Sequence, residues 1–258
     1  MKVELISWTP HPDILCDIAA RACTSQSIPD IDDHFKPGLD CSALCTALRS
    51  GHESVIEHAV FTFSIEGISR ACSHQLVRHR MASYSQQSQR YVNMDGFEYV
   101  TPESIGDKVM GKTLDWKTHE SFDVTVRAEY ECLMQNISNT YNRFIELGVP
   151  EEDARYILPN ACCTNLVMTM NARELRHFLK LRLCKRAQWE IRELAERMLD
   201  CVKQVSEVLF ADVGPACEMD GKCPERKPCN KKELQVAVES QQAYKEDGIE
   251  NAIMDVKG

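Results

Sequence analysis

The sequence predicts a mixed α/β fold, and three observations carry the prediction. Short runs at residues 2–7, 58–65 and 164–170 have the two-residue alternation of strands. Between them lie stretches with helical spacing, the longest at residues 124–147. Hydrophobic residues make up 43% and charged residues 27% of 258 positions, enough apolar material for a core inside a polar shell.

The elements follow in order. KVELIS (2–7) alternates as a short strand. PDILCDIAARAC places Pro12 in a first helical turn, where its missing N–H costs nothing, and spaces Ile14, Ile18 and Ala19 helically. SIPDIDDHFKPG (27–38) reads as a polar loop. Ser42 to Arg49 is a second helix stopped by Gly51. HAVFTFSI (58–65) sets Val60, Thr62 and Ser64 against Phe61, Phe63 and Ile65. Ser69 is a good N-cap, so a helix is expected from there into Arg78-His79-Arg80. Residues 101–122 look irregular. The helix at 124–147 is closed by Gly148 and Pro150, and PEEDARYIL forms a short helix with acids at its start. Asn171 and Glu174 in NARE make a capping box for a helix over 172–183. A last helix, about 187–209, carries Ile191, Met198, Val202, Val205 and Leu209 on one stripe. Composition shifts after Asp212, so 1–210 is expected as the folded domain and 211–258 as a polar, cysteine-bearing tail.

Charge and cysteine content narrow the function. A formal net charge of −9 argues against broad electrostatic binding of nucleic acid, which needs a basic face. MKVELISWTP lacks the apolar run of a secretory signal, and no stretch of about 18 apolar residues suits a membrane span. Thirteen cysteines without a signal read as reduced thiols in the cytosol. Yet from Gly67 to Met94 there is no Asp, Glu or Lys, while Arg70, Arg78, Arg80, Arg90, His74 and His79 all fall there. Such a tract is either a local anion site or a structural one neutralised by distant carboxylates. On a continuous helix Gln75, Arg78 and His79 would share a face, and Arg78 and Arg80 would diverge by about 200°. SYSQQSQRY (83–91) reads as a hydrogen-bonding loop, with Arg90 as the natural phosphate partner.

A second basic cluster lies in NARELRHFLKLRLCKR. Arg173 and His177 are one helical turn apart, and Arg182 falls near the C-terminal end, where a helix dipole favours a cation. Taken alone, Arg182 reads as a capping charge and His177 as an interior histidine. No G-x-G-x-x-G, P-loop or H-E-x-x-H motif occurs. His52-Glu53 and Glu57-His58 resemble fragments of a metal motif without completing one, and no metal is assigned. Cys217, Cys223 and Cys229 could offer three thiolates to zinc, but their spacing is not that of a knuckle and no fourth ligand is obvious; free thiols or an adventitious disulfide are the preferred reading.

RHRMASYSQQS (78–88) fits the arginine-histidine-arginine, seven residues, serine signature of flavin-dependent thymidylate synthases. GHESVIEHAVFTFSIEG before it, SQRY after it and NARELRHFLKLRLCKRAQWEIR resemble the family's other segments in the expected order. The resemblance implies a mixed α/β fold, with active sites of a homotetramer built from several subunits. It also implies a reaction. Deoxyuridine monophosphate (dUMP) is methylated to thymidine monophosphate (dTMP), with 5,10-methylenetetrahydrofolate as carbon donor and FAD, reduced by NADPH, as hydride carrier. A cytoplasmic enzyme of dTMP biosynthesis is implied, without nucleic-acid or membrane partners.

Residue by residue, the implied nucleotide set is Gln75, Arg78, Gln86, Gln87, Ser88, Arg90, Arg155 and Arg182. The resemblance implies that Arg182 contacts the uracil and assists ionisation at N3, as a fixed cation where negative charge develops. The implied flavin set is His52, Ser54, Arg78, His79, Arg80, Gln86, Asn171, Arg173 and His177. Gln86-Gln87 departs from the family's common Glu-Leu, and His177 stands where some members carry Asn. Ser88 is read as a ligand-positioning hydroxyl; acting as a nucleophile it would need an adjacent base. Other readings are a flavoprotein reductase without methyl transfer, which forms no thymidylate, and a non-catalytic phosphate- or RNA-binding module, which would be colourless.

Overall fold

The computed structural model describes residues 1–27, 40–114, 117 and 121–229. The chain is mixed α/β, and two units interleave along it. One comprises Met1–Lys2, Ile65–Gln75 and Ser85–Leu166; the other Val3–Ser64, Leu76–Tyr84 and Val167 onward.

Six strands are present among the described residues: β1 (Lys2–Trp8), β2 (Val60–Ser69), β3 (Ala82–Gln86), β4 (Val109–Leu114), β5 (Ser121–Thr125) and β6 (Cys163–Asn171). Four form a sheet in the order β1-β2-β6-β3. Thr62 and Thr169 join hydroxyls at 3.0 Å, and the Gly67 N–H donates to Asn165 Oδ1 at 3.1 Å, so β2 and β6 run antiparallel. β2 alternates as expected, with Phe61, Phe63 and Ile65 buried.

In the unit beginning at Val3, α1 (Pro12–Ala22) packs on α2 (Ser42–Arg49). The buried Asp17 carboxylate ties them together, accepting from the Leu44 N–H at 2.9 Å and pairing with Arg21 at 2.6 Å. A 3-10 turn, Glu53–His58, leads into β2. α6 (Ala172–Arg182) and α7 (Trp189–Lys203) complete the unit's main helices. Gln188 caps α7, its Oε1 accepting from the N–H groups of Glu190 and Ile191. Ile191, Leu194, Ala195, Met198 and Val202 line its inner face, and burying each large apolar side chain contributes about 1.5–3 kcal/mol. The helix stops at Lys203, earlier than the sequence suggested. Val205 and Leu209 lie in turns, where Asp13 accepts from Ser206 Oγ and from the Val208 and Leu209 N–H groups. α8 (Ala216–Met219) lies within the stretch expected as a tail.

In the other unit, α4 (Val126–Glu146) is capped by Thr125, whose Oγ accepts from the Ala128 N–H at 3.1 Å. It ends before Gly148, whose φ of +82° only glycine adopts cheaply. α5 (Glu151–Ala154) follows. Met134 and Tyr141 pack with Met94, Phe97, Ala154 and Cys162 in this unit's core. Residues 101–122 are not irregular throughout: β4 and β5 pair antiparallel, with a bulge between Val109 and Gly111. Val109, Met110 and Phe122 are exposed, so no buried alternating face announced the hairpin.

The helix after Ser69 is α3 (Arg70–Leu76). Ser69 caps it as expected, accepting from the Cys72 N–H at 3.0 Å. It ends before Arg78, so the helical geometry expected for Gln75, Arg78 and His79 does not occur. Most of the loop expected over 27–38 lies outside the described residues, as do residues 230–258 of the tail. No disulfide links the thirteen cysteines. No described helix is long and apolar enough to cross a membrane.

Candidate active site

The Arg78-His79-Arg80 segment is a turn following α3, and its side chains alternate exposed, buried, exposed. The His79 N–H donates to Leu76 O at 3.1 Å. Tyr84 reinforces the turn: its hydroxyl lies 2.9 Å from Leu76 O and 2.8 Å from His79 O, one proton shared between two carbonyls. Burial raises the Tyr84 phenol, which keeps it the donor.

His79 lies with its ring edge-on to Phe178, 5.0 Å between centroids, and near the exposed His177 ring. Its Nε2 accepts from Arg182 Nε–H at 3.1 Å, and its Nδ1 lies 3.4 Å from Glu174 Oε1. Burial first, then the Arg182 and His177 charges, lower its pKa from 6.5 to about 4. The Glu174 contact is therefore between a carboxylate and a neutral ring, not an ion pair. Glu174's own carboxyl is raised by burial, an effect opposed by His177. Arg182 ends α6 and is half-buried, with its side chain turned to His79, so it is more than a capping charge. His177 is not interior.

Around α6 the other flavin-set residues divide by use. Asn171 Oδ1 accepts from the Glu174 N–H at 2.9 Å, the capping bond foreseen from NARE. Arg173 pairs with Glu57 at 2.5 Å and Glu53 at 3.5 Å, so the acids of the two metal-like fragments are spent on an arginine. His52 and Ser54 are exposed at the 3-10 turn. Arg78 and Arg80 are exposed, and neither meets a carboxylate among the described residues. Among those residues no three His, Cys, Asp or Glu side chains converge to hold a metal. Sequence reasoning missed Arg176: buried in α6, it binds Asp212 through both η nitrogens (2.8 and 3.1 Å) and donates to Leu209 O. A mid-helix arginine carries no local sign of this.

The polar loop is partly strand, since β3 includes Ser83 to Gln86. In the other unit, which resumes at Ser85, the Gln87 N–H donates to Asn165 O at 2.9 Å. Gln86 Nε2 donates to Ser73 Oγ at 3.0 Å and Thr164 Oγ1 at 3.2 Å. The amide thus acts as a donor toward two hydroxyls; a carboxylate there would require both hydroxyls to donate instead. Ser88 turns the chain, with its carbonyl accepting from the Tyr91 and Val92 N–H groups. Arg90 lies over the Tyr91 ring and pairs with Glu152 at 3.1 Å, while Arg155 Nε donates to Glu152 O. Gln75 Nε2 reaches Ala71 O at 3.5 Å. Arg70, outside the implied sets, donates to Gln87 O at 3.4 Å; burial and Arg155 lower its pKa. Arginines therefore gather here too.

Within a mixed α/β fold, exposed arginines flank a buried neutral histidine in one unit, and a second cationic group stands among hydroxyls and amides in the other. Comparison with known proteins makes this specific. The chain matches the family model "Thymidylate synthase complementing protein" over residues 4–207. A flavin-dependent thymidylate synthase from Geobacter sulfurreducens is 47% identical over 228 residues, covering 87% of this chain and 91% of that one. One from Clostridium tetani is 42% identical over 234 residues, with 87% and 91% coverage. One from Pyrococcus furiosus is 47% identical over 232 residues, with 87% and 85% coverage. The chain belongs to the flavin-dependent thymidylate synthases, a family of methyltransferase enzymes.

Proposed function

We propose that this enzyme methylates dUMP to dTMP in the cytoplasm, taking its carbon from 5,10-methylenetetrahydrofolate. The bound cofactor is FAD, which supplies hydride once NADPH has reduced it. Exposed Arg78 and Arg80, without carboxylate partners among the described residues, suit a diphosphate: a guanidinium meets phosphate oxygens with paired N–H donors. Their neighbour His79 is neutral and buried, so it orients rather than adds charge. His52, Ser54, Asn171, Arg173 and His177 complete the proposed flavin set, with Gln86.

Ser88, Arg90 and Arg155 hold the nucleotide phosphate, and Gln75, Arg78, Gln86 and Gln87 complete the proposed nucleotide set. Arg90 exchanges an exposed carboxylate, Glu152, for that phosphate. Arg182 stabilises the uracil as its N3 ionises, because a preorganised cation lowers the cost of charge that develops beside it. The observation that carries the reading is the bond from Arg182 Nε–H to His79 Nε2, which joins the signature motif to the arginine that the chemistry requires. In a homotetramer whose sites draw on several subunits, the nucleotide and flavin groups need not come from one chain.

The test is growth of a thymidine-requiring strain carrying this gene or its Arg182→Ala variant. The reading expects growth without thymidine from the native gene alone, and purified protein that is yellow and bleaches anaerobically with NADPH. Equal growth of the two would remove Arg182 from the reaction.

A further inference from the structure

We propose that Glu174 is a positioning residue that acts through His79 to aim Arg182; the proposal rests on the role given to Arg182 above. The three side chains form a bridge across one helix. Glu174 lies in the first turn of α6, Arg182 is its last residue, and His79 from the Arg-His-Arg turn stands between them. His79 Nε2 already accepts from Arg182 Nε–H at 3.1 Å, so the ring proton must sit on Nδ1. Nδ1 faces Glu174 Oε1 at 3.4 Å.

The tautomer decides where Arg182 points. With the proton on Nε2, two N–H donors would meet head to head, and the arginine would swing away. A neutral imidazole exchanges between tautomers unless a neighbour favours one. The carboxylate oxygen of Glu174 does so here, because it accepts from N–H and repels the Nδ1 lone pair of the other form. The assembly is enclosed: His79 is 6% exposed and the Glu174 side chain 14%, so water does not readily replace either partner. Phe178 packs against the ring edge and limits its rotation. Asn171 caps the Glu174 N–H, so the Glu174 side chain is not needed for α6 to start. That separates its proposed role from helix capping.

The experiment compares the FAD-loaded enzyme with Glu174→Gln, Glu174→Leu, Arg182→Ala and the Glu174→Leu/Arg182→Ala double variant. Thymidylate kinetics, flavin reduction by NADPH and ¹⁵N NMR of the His79 ring are measured. Glu174→Leu should lower kcat about ten- to a hundredfold, as a misdirected reactive group does, with KM for dUMP and flavin reduction within about twofold of native. Its His79 should show mixed tautomers. Glu174→Gln keeps an acceptor oxygen and should restore both the Nδ1–H form and most of kcat. The double variant should be no slower than Arg182→Ala, since groups acting in series do not add. Native kcat in Glu174→Leu, an unchanged His79 tautomer, or losses that multiply in the double variant would each overturn the proposal while leaving Arg182's role standing. Native kcat in Arg182→Ala would instead overturn the reading on which it rests.

Discussion

Replacing either member of the Arg176–Asp212 pair tests how the helix bearing Arg182 is anchored. The Arg176 side chain is 7% exposed and that of Asp212 39%, so the two ends differ in access to water. Asp212→Ala leaves a buried guanidinium with Leu209 O as its remaining partner of the two. Removing one member of a buried pair costs about 3–5 kcal/mol, and partial exposure of this pair favours the lower end. Arg176→Met keeps an apolar stem of similar reach and removes an Nε that has no acceptor. It leaves a carboxylate that water can solvate and one unsatisfied carbonyl, a cost of about 1–2 kcal/mol. At about 2–4 °C per kcal/mol, Asp212→Ala should melt several degrees below Arg176→Met. Calorimetry at pH 7 on the full-length enzyme checks the order. An Arg176→Met protein that melts at or below Asp212→Ala would refute the claim that the buried cation, not the lost contact, sets the cost.

Two further predictions follow from the site. His79 is depressed from 6.5 to about 4 in the fold, so between those values the unfolded chain binds more protons and stability falls as pH drops through them. The loss is on the order of 3 kcal/mol, and His79→Asn should flatten that part of the stability–pH curve measured by denaturant titration; an unchanged curve would show that other groups govern it. Glu152→Ala removes an exposed partner of Arg90, so stability should change by less than about 1 kcal/mol while dUMP binds more tightly by calorimetric titration. Weaker binding would mean that Glu152 positions Arg90 for the phosphate rather than competing with it.

Local signals were legible in the sequence where a residue's role is met within a turn of chain. Ser69 and Asn171 cap the helices they were expected to cap, and Gly148 stops α4, because each bond joins near neighbours. The end of α3 was not legible: Tyr84, outside the helix, holds the Leu76–His79 turn, and no periodicity before Arg78 reports it. The β4–β5 hairpin escaped because Val109, Met110 and Phe122 face solvent. Of the site, the motif residues were visible as types and spacings. Their geometry was not, since the partners of His79, Arg176 and Gln86 arrive from distant strands, helices and turns.

Thiol chemistry gives the two units separate reporters. Burial, reinforced by Asp13, pushes Cys16 up to about 12, and burial pushes Cys162 up to about 11 against the opposing pull of Arg70 and Gln89. Cys23, Cys132 and Cys229 are exposed. A thiolate-seeking reagent at mildly alkaline pH therefore modifies the exposed three first. It reaches Cys16 or Cys162 only when the surrounding structure opens. Because these two lie in different units, peptide mapping over time reads the opening of each unit on its own clock, without an introduced label.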